Sequence, residues 1–281
     1  MRKAIYSIFG LLFLNLAHAG GGWPAPKGGG YFKLNEYVIR SKYYYAPSGD
    51  IIDIATASIY ISSLYGEYGL TNRLTGIAYV PFFSRATLNE QVDRNGNLIA
   101  LGDAVNSFGD TDLSLKYALI TNKPIVMSAT ITFGFPFGKS QGGSTQVLQT
   151  GDGEFNTMVS LEVSKGIHGG KGWINGLLAF NNRSNNFSDE LRWGLEIGHK
   201  LGNKWTAGLK LYDVNSLNNG SDLETPTNGI FSNNIEYLAI TPELNYSIKE
   251  NFGISTSVGF AATGKRILAS PSYSLGVFMT L

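Results

Sequence analysis

The chain is predicted to fold as an all-β protein, a transmembrane antiparallel up-and-down β-barrel of about 12 strands. Three observations predict it. From about 31 to 281 the sequence divides into strand-like runs of roughly ten residues or slightly more, the length a tilted strand needs to cross a membrane. The connections between runs alternate, long then short. The final run reaches the last residue, with Tyr273, Leu275, Val277, Met279 and Leu281 apolar and Ser274, Gly276 and Thr280 small between them. A soluble sheet has little reason for that ending. A membrane barrel crosses about 25 Å of hydrocarbon, where only closure satisfies every backbone group.

Residues 1–19 read as a secretory signal. Arg2 and Lys3 start it, Ala4 to Leu16 is mostly apolar, and Ala17-His18-Ala19 is a small-x-small cleavage site before Gly20. The apolar stretch is too short for a membrane helix. Zero Cys excludes a lipid anchor on Cys, disulfides, haem attachment and thiolate metal sites. Removing Arg2 and Lys3 from the 22 basic residues leaves 20 against 21 acidic, a formal charge of −1, which gives no case for nucleic acid. Charged residues are only 15% of the chain, below the ~25% usual for soluble domains, while aromatics reach 12% and Gly 35 of 281. That combination fits a barrel in lipid better than a soluble sandwich.

Residues 20–30 form a Gly/Pro-rich lead that excludes helix and central strand. It is either a periplasmic tail or a peptide tucked into the barrel, and Trp23 is its one candidate anchor. The barrel proper is expected over 31–281. The first strand covers about 31–45, with an unsettled register: Tyr37 and Ile39 share one parity, Leu34 and Val38 the other. A loop at 46–54 leads to the second, about 55–69, with Ile59, Ile61 and Tyr65 on one face. The turn 70–73 joins the third, about 74–83, and a long polar loop spans 84–109.

The fourth strand, about 110–120, has the cleanest period of two: Leu113, Leu115, Tyr117 and Leu119 alternate with Asp112, Ser114, Lys116 and Ala118. The fifth, about 125–137, sets Ile125, Met127, Ile131 and Phe133 against Val126, Ser128, Thr130 and Thr132. The sixth, about 154–167, sets Val159, Leu161 and Val163 against Ser160, Glu162 and Ser164. The seventh covers about 173–181. The eighth, about 190–201, sets Leu191, Trp193, Leu195 and Ile197 against Arg192, Gly194, Glu196 and Gly198. The ninth, about 205–213, sets Trp205, Ala207, Leu209 and Leu211 against Thr206, Gly208, Lys210 and Tyr212. The tenth, about 235–248, sets Leu238, Ile240, Leu244 and Tyr246 against Ala239, Thr241, Glu243 and Asn245. The eleventh covers about 252–261 and the twelfth 272–281. Short turns follow the even strands and longer loops the odd ones. The asymmetry puts short turns and both termini in the periplasm and long loops outside.

Which face meets lipid turns on volume. Twelve strands enclose more space than an eight-strand barrel, whose interior side chains can just fill. A Leu/Ile/Phe interior would need a plug that this chain is read as lacking, so the apolar parity is expected outward and the polar parity inward. The small inward residues Gly194, Gly198, Gly208, Ser255, Ser257, Gly259 and Gly276 relieve crowding. Trp173, Trp193, Trp205, Tyr246, Phe252 and Tyr273 lie near strand ends, where aromatic girdles sit.

By parity, Asp112, Lys116, Glu162, Arg192, Glu196, Lys210 and Glu243 point into the lumen. Acids and bases in one enclosed space pair or stay wet. They either line a constriction that selects solutes by size and charge, or form an interstrand ion-pair lattice that stiffens the wall, and the two can coexist. No catalytic residue is expected. His168 and His199 fall at the periplasmic end, no clustered ligands suggest a metal or cofactor, and Asp103, Asp110 and Asp112 lack the spacing of a Ca²⁺ loop.

The motifs also carry a resemblance. Trp23-Pro24-Ala25-Pro26-Lys27-Gly28-Gly29-Gly30-Tyr31, the turn Glu67-Tyr68-Gly69-Leu70-Thr71-Asn72-Arg73-Leu74, Gly109-Asp110-Thr111-Asp112-Leu113 with Lys116-Tyr117, and Phe135-Pro136-Phe137-Gly138 occur in this order. The chain resembles the outer-membrane family grouped as "MetA-pathway of phenol degradation", which is transporter-like. It departs in ending on Leu281 where many outer-membrane barrels end in Phe. The resemblance implies a barrel that passes small molecules, hydrophobic ones among them, and transfers no catalytic residues.

The expected function is therefore a passive channel or uptake protein for a small solute in the outer membrane of a Gram-negative cell. The rival expectation is a structural or adhesive surface protein with a closed lumen, acting through the loops at 84–109 and 214–234. Expected partners are outer-membrane lipid, a small-molecule solute and the barrel-assembly machinery during biogenesis.

Overall fold

The computed structural model describes residues 21–93, 95–121, 123–221 and 231–281, so the expected signal at 1–19 lies outside the described residues. Alternating sequence gives alternating faces, and the paired runs give one antiparallel sheet. Its main strands are β1 (Gly30–Tyr45), β2 (Ile51–Gly69), β3 (Leu74–Leu88), β4 (Thr111–Ile120), β5 (Ile125–Phe135), β6 (Asn156–Ile167), β7 (Gly172–Arg183), β8 (Glu190–Leu201), β9 (Trp205–Ser216), β10 (Glu236–Lys249), β11 (Phe252–Lys265) and β12 (Ser272–Thr280). Each bonds to the next, and β1 bonds to both β2 and β12, so the sheet closes as a 12-strand barrel. Closure leaves no main strand with an open edge, the condition for standing in hydrocarbon.

The facing is as the volume argument required. Leu178 is 62% exposed on the outside and Leu275 59%, while inward Ser128 and Ser255 are fully covered. A surface this apolar is a lipid-facing one. Trp205 and Tyr246 pack outward with ring centroids 4.7 Å apart near the periplasmic ends of β9 and β10, as a girdle pair would. Trp173 does not join the girdle. It lies on the inward parity of β7, over Gly198, and its indole N–H donates to Glu196 Oε1 at 2.7 Å. An indole in the lumen gains a carboxylate partner that the hydrocarbon lacks.

The alternation of loop lengths holds, although connections 46–50, 184–189 and 266–271 are only slightly longer than the periplasmic turns. The strands around them keep pairing beyond the expected ends: β2 begins at Ile51, β7 runs to Arg183 and β11 to Lys265. Backbone groups that leave the bilayer lose less by pairing than by standing bare, so hairpins extend. The long connections are 89–110, 136–155 and 217–235. The first is partly ordered as sheet: Gln91–Val92 pairs Leu98–Ala100, and Asp103–Ser107 pairs the upper half of β3.

The expectation that the chain has no plug is corrected, because two segments enter the barrel, and of the two placements left open for the lead the tucked one is observed. The lead turns into the periplasmic end. The loop 136–155 folds into the outer mouth, where Leu148, fully covered, packs with Ile39, Ala57, Ile59, Ala86, Val105 and Leu268. The plug is mostly backbone and polar groups at one end and a single leucine at the other, which a count of apolar residues does not reveal.

Candidate functional site

The lumen is built from the inward parity of every strand. The seven charged residues expected there all sit on it, but they do not form one ring. Lys116, on β4, is 2% exposed. Its Nζ lies 3.1 Å from Glu162 Oε2, on β6, and donates to the Gly21 carbonyl at 2.7 Å. Glu162 Oε1 accepts from Thr130 of β5 and from Ser160 of its own strand. Two charges taken out of water thus offset one another, and two hydroxyls hold one carboxylate oxygen in place.

A second group forms across the barrel, on β1 and β9–β11. Lys210 Nζ lies 3.1 Å from Glu243 Oε2, and Asn245 donates to the other carboxylate oxygen. Lys33, which the unsettled register of β1 had hidden, donates to Ser255 Oγ at 2.8 Å beside this pair. Lys33 lies over Gly276, where a Cβ would come within 2.8 Å of its Cε. Higher up, Arg192 pairs with Glu190, which also accepts from Asn181. Glu196 holds Trp173, and Asp112 stands on β4 at the inward position opposite Gly134 of β5 and Tyr79 of β3. Tyrosines fill the space between these groups. Tyr31 packs against Tyr65 and Phe278, Tyr65 donates to Glu67, and Tyr212 packs against Tyr237.

The lead crosses the periplasmic half of this lumen. Gly28 N–H donates to the Gly69 carbonyl at the base of β2, and Gly69 N–H donates back to the Gly29 carbonyl; Ala25 N–H donates to Thr75 Oγ1, and Gly22 reaches the far wall. There Gly22 N–H donates to Ser164 Oγ and its carbonyl accepts from Ser128, both at 2.6 Å. Only glycine fits: a Cβ on Gly22 would stand 2.9 Å from the Glu162 carbonyl oxygen and 3.1 Å from that of Val126.

A cluster that sequence reasoning missed secures the outer mouth. Arg183, at the top of β7, reaches Asp152 at 2.7 Å, Glu154 at 2.9 Å and Glu190 at 3.0 Å. Asp110 receives the backbone N–H groups of Gly138 and Asp152. Burial pushes the Asp152 carboxyl up to about 7, with Arg183 opposing and neighbouring Asp110 adding to the rise. Burial raises Asp110 and Glu154 as well. At the other end of the same loop Asp103 accepts from Ser144 and Thr145, bonds that hold its carboxyl far below the usual range. The signal for this cluster was weak. Its members are spread over two loops and two strand ends, and only pairing brings them together.

At the periplasmic end the rings of His168 and His199 meet edge to face at 5.4 Å. Among the described residues no group of His, Asp and Glu is placed to hold a metal ion.

No family model matches the sequence, and no curated protein matches it. Solved structures share its fold. An outer membrane channel from Pseudomonas putida F1 is 14% identical, with a TM-score of 0.62 over 93% of this chain and 99% of that one. The KdgM porin is 10% identical, with a TM-score of 0.50 over 89% and 99%. The translocator domain of the autotransporter NalP from Neisseria meningitidis is 9% identical, with a TM-score of 0.50 over 92% and 90%. The likeness is to the barrel of outer-membrane proteins.

Proposed function

We propose that the protein is an outer-membrane channel or uptake protein for a small solute, of the family resembling the "MetA-pathway of phenol degradation" group. The observation that carries this reading is the lumen wall: charged groups and tyrosines line it from the periplasmic turns to the mouth, and the side chains of Lys210 and Arg192 keep 40% and 23% of their surface accessible. A wall of pure scaffold has no need of charges that stay accessible to water. Phenol rings of Tyr31, Tyr65, Tyr212 and Tyr237 give the same wall flat apolar surfaces, which suits a solute with an aromatic or aliphatic part.

The filling of both ends favours a second reading, a closed barrel acting through its outer loops. Planar-bilayer conductance of the refolded protein separates the two. Under the channel reading, deleting residues 20–29 raises conductance several-fold and admits solutes that the intact protein excludes. No conductance and no solute flux in liposome swelling, with and without the lead, would leave the structural reading standing.

A further inference from the structure

The outer ends of β1 and β3 carry basic side chains on the face that meets lipid. Arg40 lies on the outward parity of β1, which it shares with exposed Leu34, while Ile39 and Ser41 beside it are buried inward. Arg85 lies on the outward parity of β3, between buried Ser84 and Ala86. Tyr60 of β2, exposed and outward, stands directly between the strands, paired with Val38 on one side and Arg85 on the other. Two strand spacings of about 4.8 Å separate β1 from β3, so the two guanidinium groups reach a common site.

Height fixes what that site meets. Arg40 is about ten residues along β1 from the periplasmic end, roughly 33 Å of strand, or about 25 Å of height at a ~40° tilt. Arg85 stands about as far along β3. Both therefore reach the upper edge of the hydrocarbon band, where the headgroups of the outer leaflet begin. Neither forms an ion pair among the described residues, and Arg85 is steadied by a 2.8 Å bond to Asn106. Lys42 continues the basic stripe above them, 5.0 Å over the Tyr43 ring. Glu36 lies four residues below Arg40 and takes its hydrogen bond from Ser62, leaving Arg40 unneutralised. Lower on the same face, Gly66, Gly76 and Ala78 leave a depression of about 340 Å³ between Phe32, Leu64 and Val80.

We propose that Arg40 and Arg85, with Tyr60 between them, bind the phosphate of a multiply acylated, phosphate-bearing glycolipid of the outer leaflet. One acyl chain would run down over Tyr60 toward the depression. Bidentate guanidinium groups suit a phosphate, and the long stems suit the acyl boundary. The proposal rests on the outward facing of this wall and on the outer-membrane reading, not on conduction.

The test is native mass spectrometry of the full-length barrel in a neutral detergent, titrated with bis-phosphorylated lipid A and with the same lipid stripped of phosphate. The expected result is retention of the phosphorylated lipid, at least tenfold weaker retention of the stripped one, and a similar loss for R40Q/R85Q. Inorganic phosphate at millimolar concentration should not displace the lipid. Heat-modifiable migration on a gel checks that the variant is folded, and the stripped-lipid arm needs no variant. Equal retention of both lipids by the wild-type barrel would overturn the proposal, as would unchanged retention by the folded double variant. Conductance of the variant reports separately on the channel reading.

Discussion

Lys116 shows how much one side chain can hold in this lumen. Its ammonium is almost wholly covered and joins β4 to Glu162 of β6 and to the Gly21 carbonyl of the lead. Removing one member of such a pair strands the other in a poorly solvated place, at a cost of about 3–5 kcal/mol. Lys116→Met is therefore expected to lower the urea midpoint of the folded, heat-modifiable band sharply, and adding Glu162→Leu should recover part of the loss. An unchanged midpoint in the single variant would show that the pair is hydrated and cheap. Strand 4 made Lys116 legible, since a clean period of two assigns every side chain to a face. Its partner Gly21 was not legible, because a glycine announces space without saying what fills it.

At the scale of the element, the twelve strands were readable and their ends were not. Periodicity marks β8 at its observed bounds, 190–201, yet it stops short on β2, β3, β9 and β11, whose outer ends do not alternate cleanly between apolar and polar. The loop 136–155 is rich in Gly, Ser and Gln, and its role depends on partners far along the chain. Asp110, Asp152, Glu154, Arg183, Glu190 and Arg192 face one another around its base. The docked loop keeps a proton on the Asp152 side up to about pH 7, whereas a free Asp loses it near 4. The docked state thus binds more protons between those values, and docking weakens as pH rises from about 4 to about 7. Asp103 works in the opposite sense, its grip on Ser144 and Thr145 failing only in strong acid. Hydrogen exchange at Gly138 and Thr150, corrected for the intrinsic rate, should be slower at pH 5 than at pH 8. Asp152→Asn should abolish the difference, and equal protection at both pH values in the wild type would refute the assignment. The lead offers a steric counterpart. Gly22→Val puts a branched side chain against the Glu162 and Val126 carbonyls, so it should unseat the lead and expose residues 21–30 to protease while leaving the barrel folded. Continued protection would mean that the lead is held elsewhere.

The whole molecule joins these parts through charge. On the strands, inward acids Glu67, Asp112, Glu162, Glu190, Glu196 and Glu243 outnumber the inward bases Lys33, Lys116, Arg183, Arg192 and Lys210, and Asp152 and Glu154 of the docked loop add to the excess. The chain carries a formal charge of only +1, so the composition gave no warning that its interior is acidic. Parity separates an outer surface of leucines from an inner one of carboxylates, and only the closed fold turns that separation into a field. Low-dielectric walls concentrate such a field along the axis. With residues 20–29 deleted, the open barrel should pass cations in preference to anions, read as a reversal potential across a tenfold KCl gradient. The preference should shrink at high salt, where the Debye length falls to about 3 Å. Glu196→Gln together with Glu243→Gln should reduce it further, because both carboxylates act on Lys210 and their loss leaves Lys33 and Lys210 as bare cations on this wall. Acidification below about pH 4 should abolish it as ordinary carboxylates take up protons. A lead-free barrel that conducts anions as readily as cations would mean that the paired charges cancel locally and that the solute is selected by shape alone.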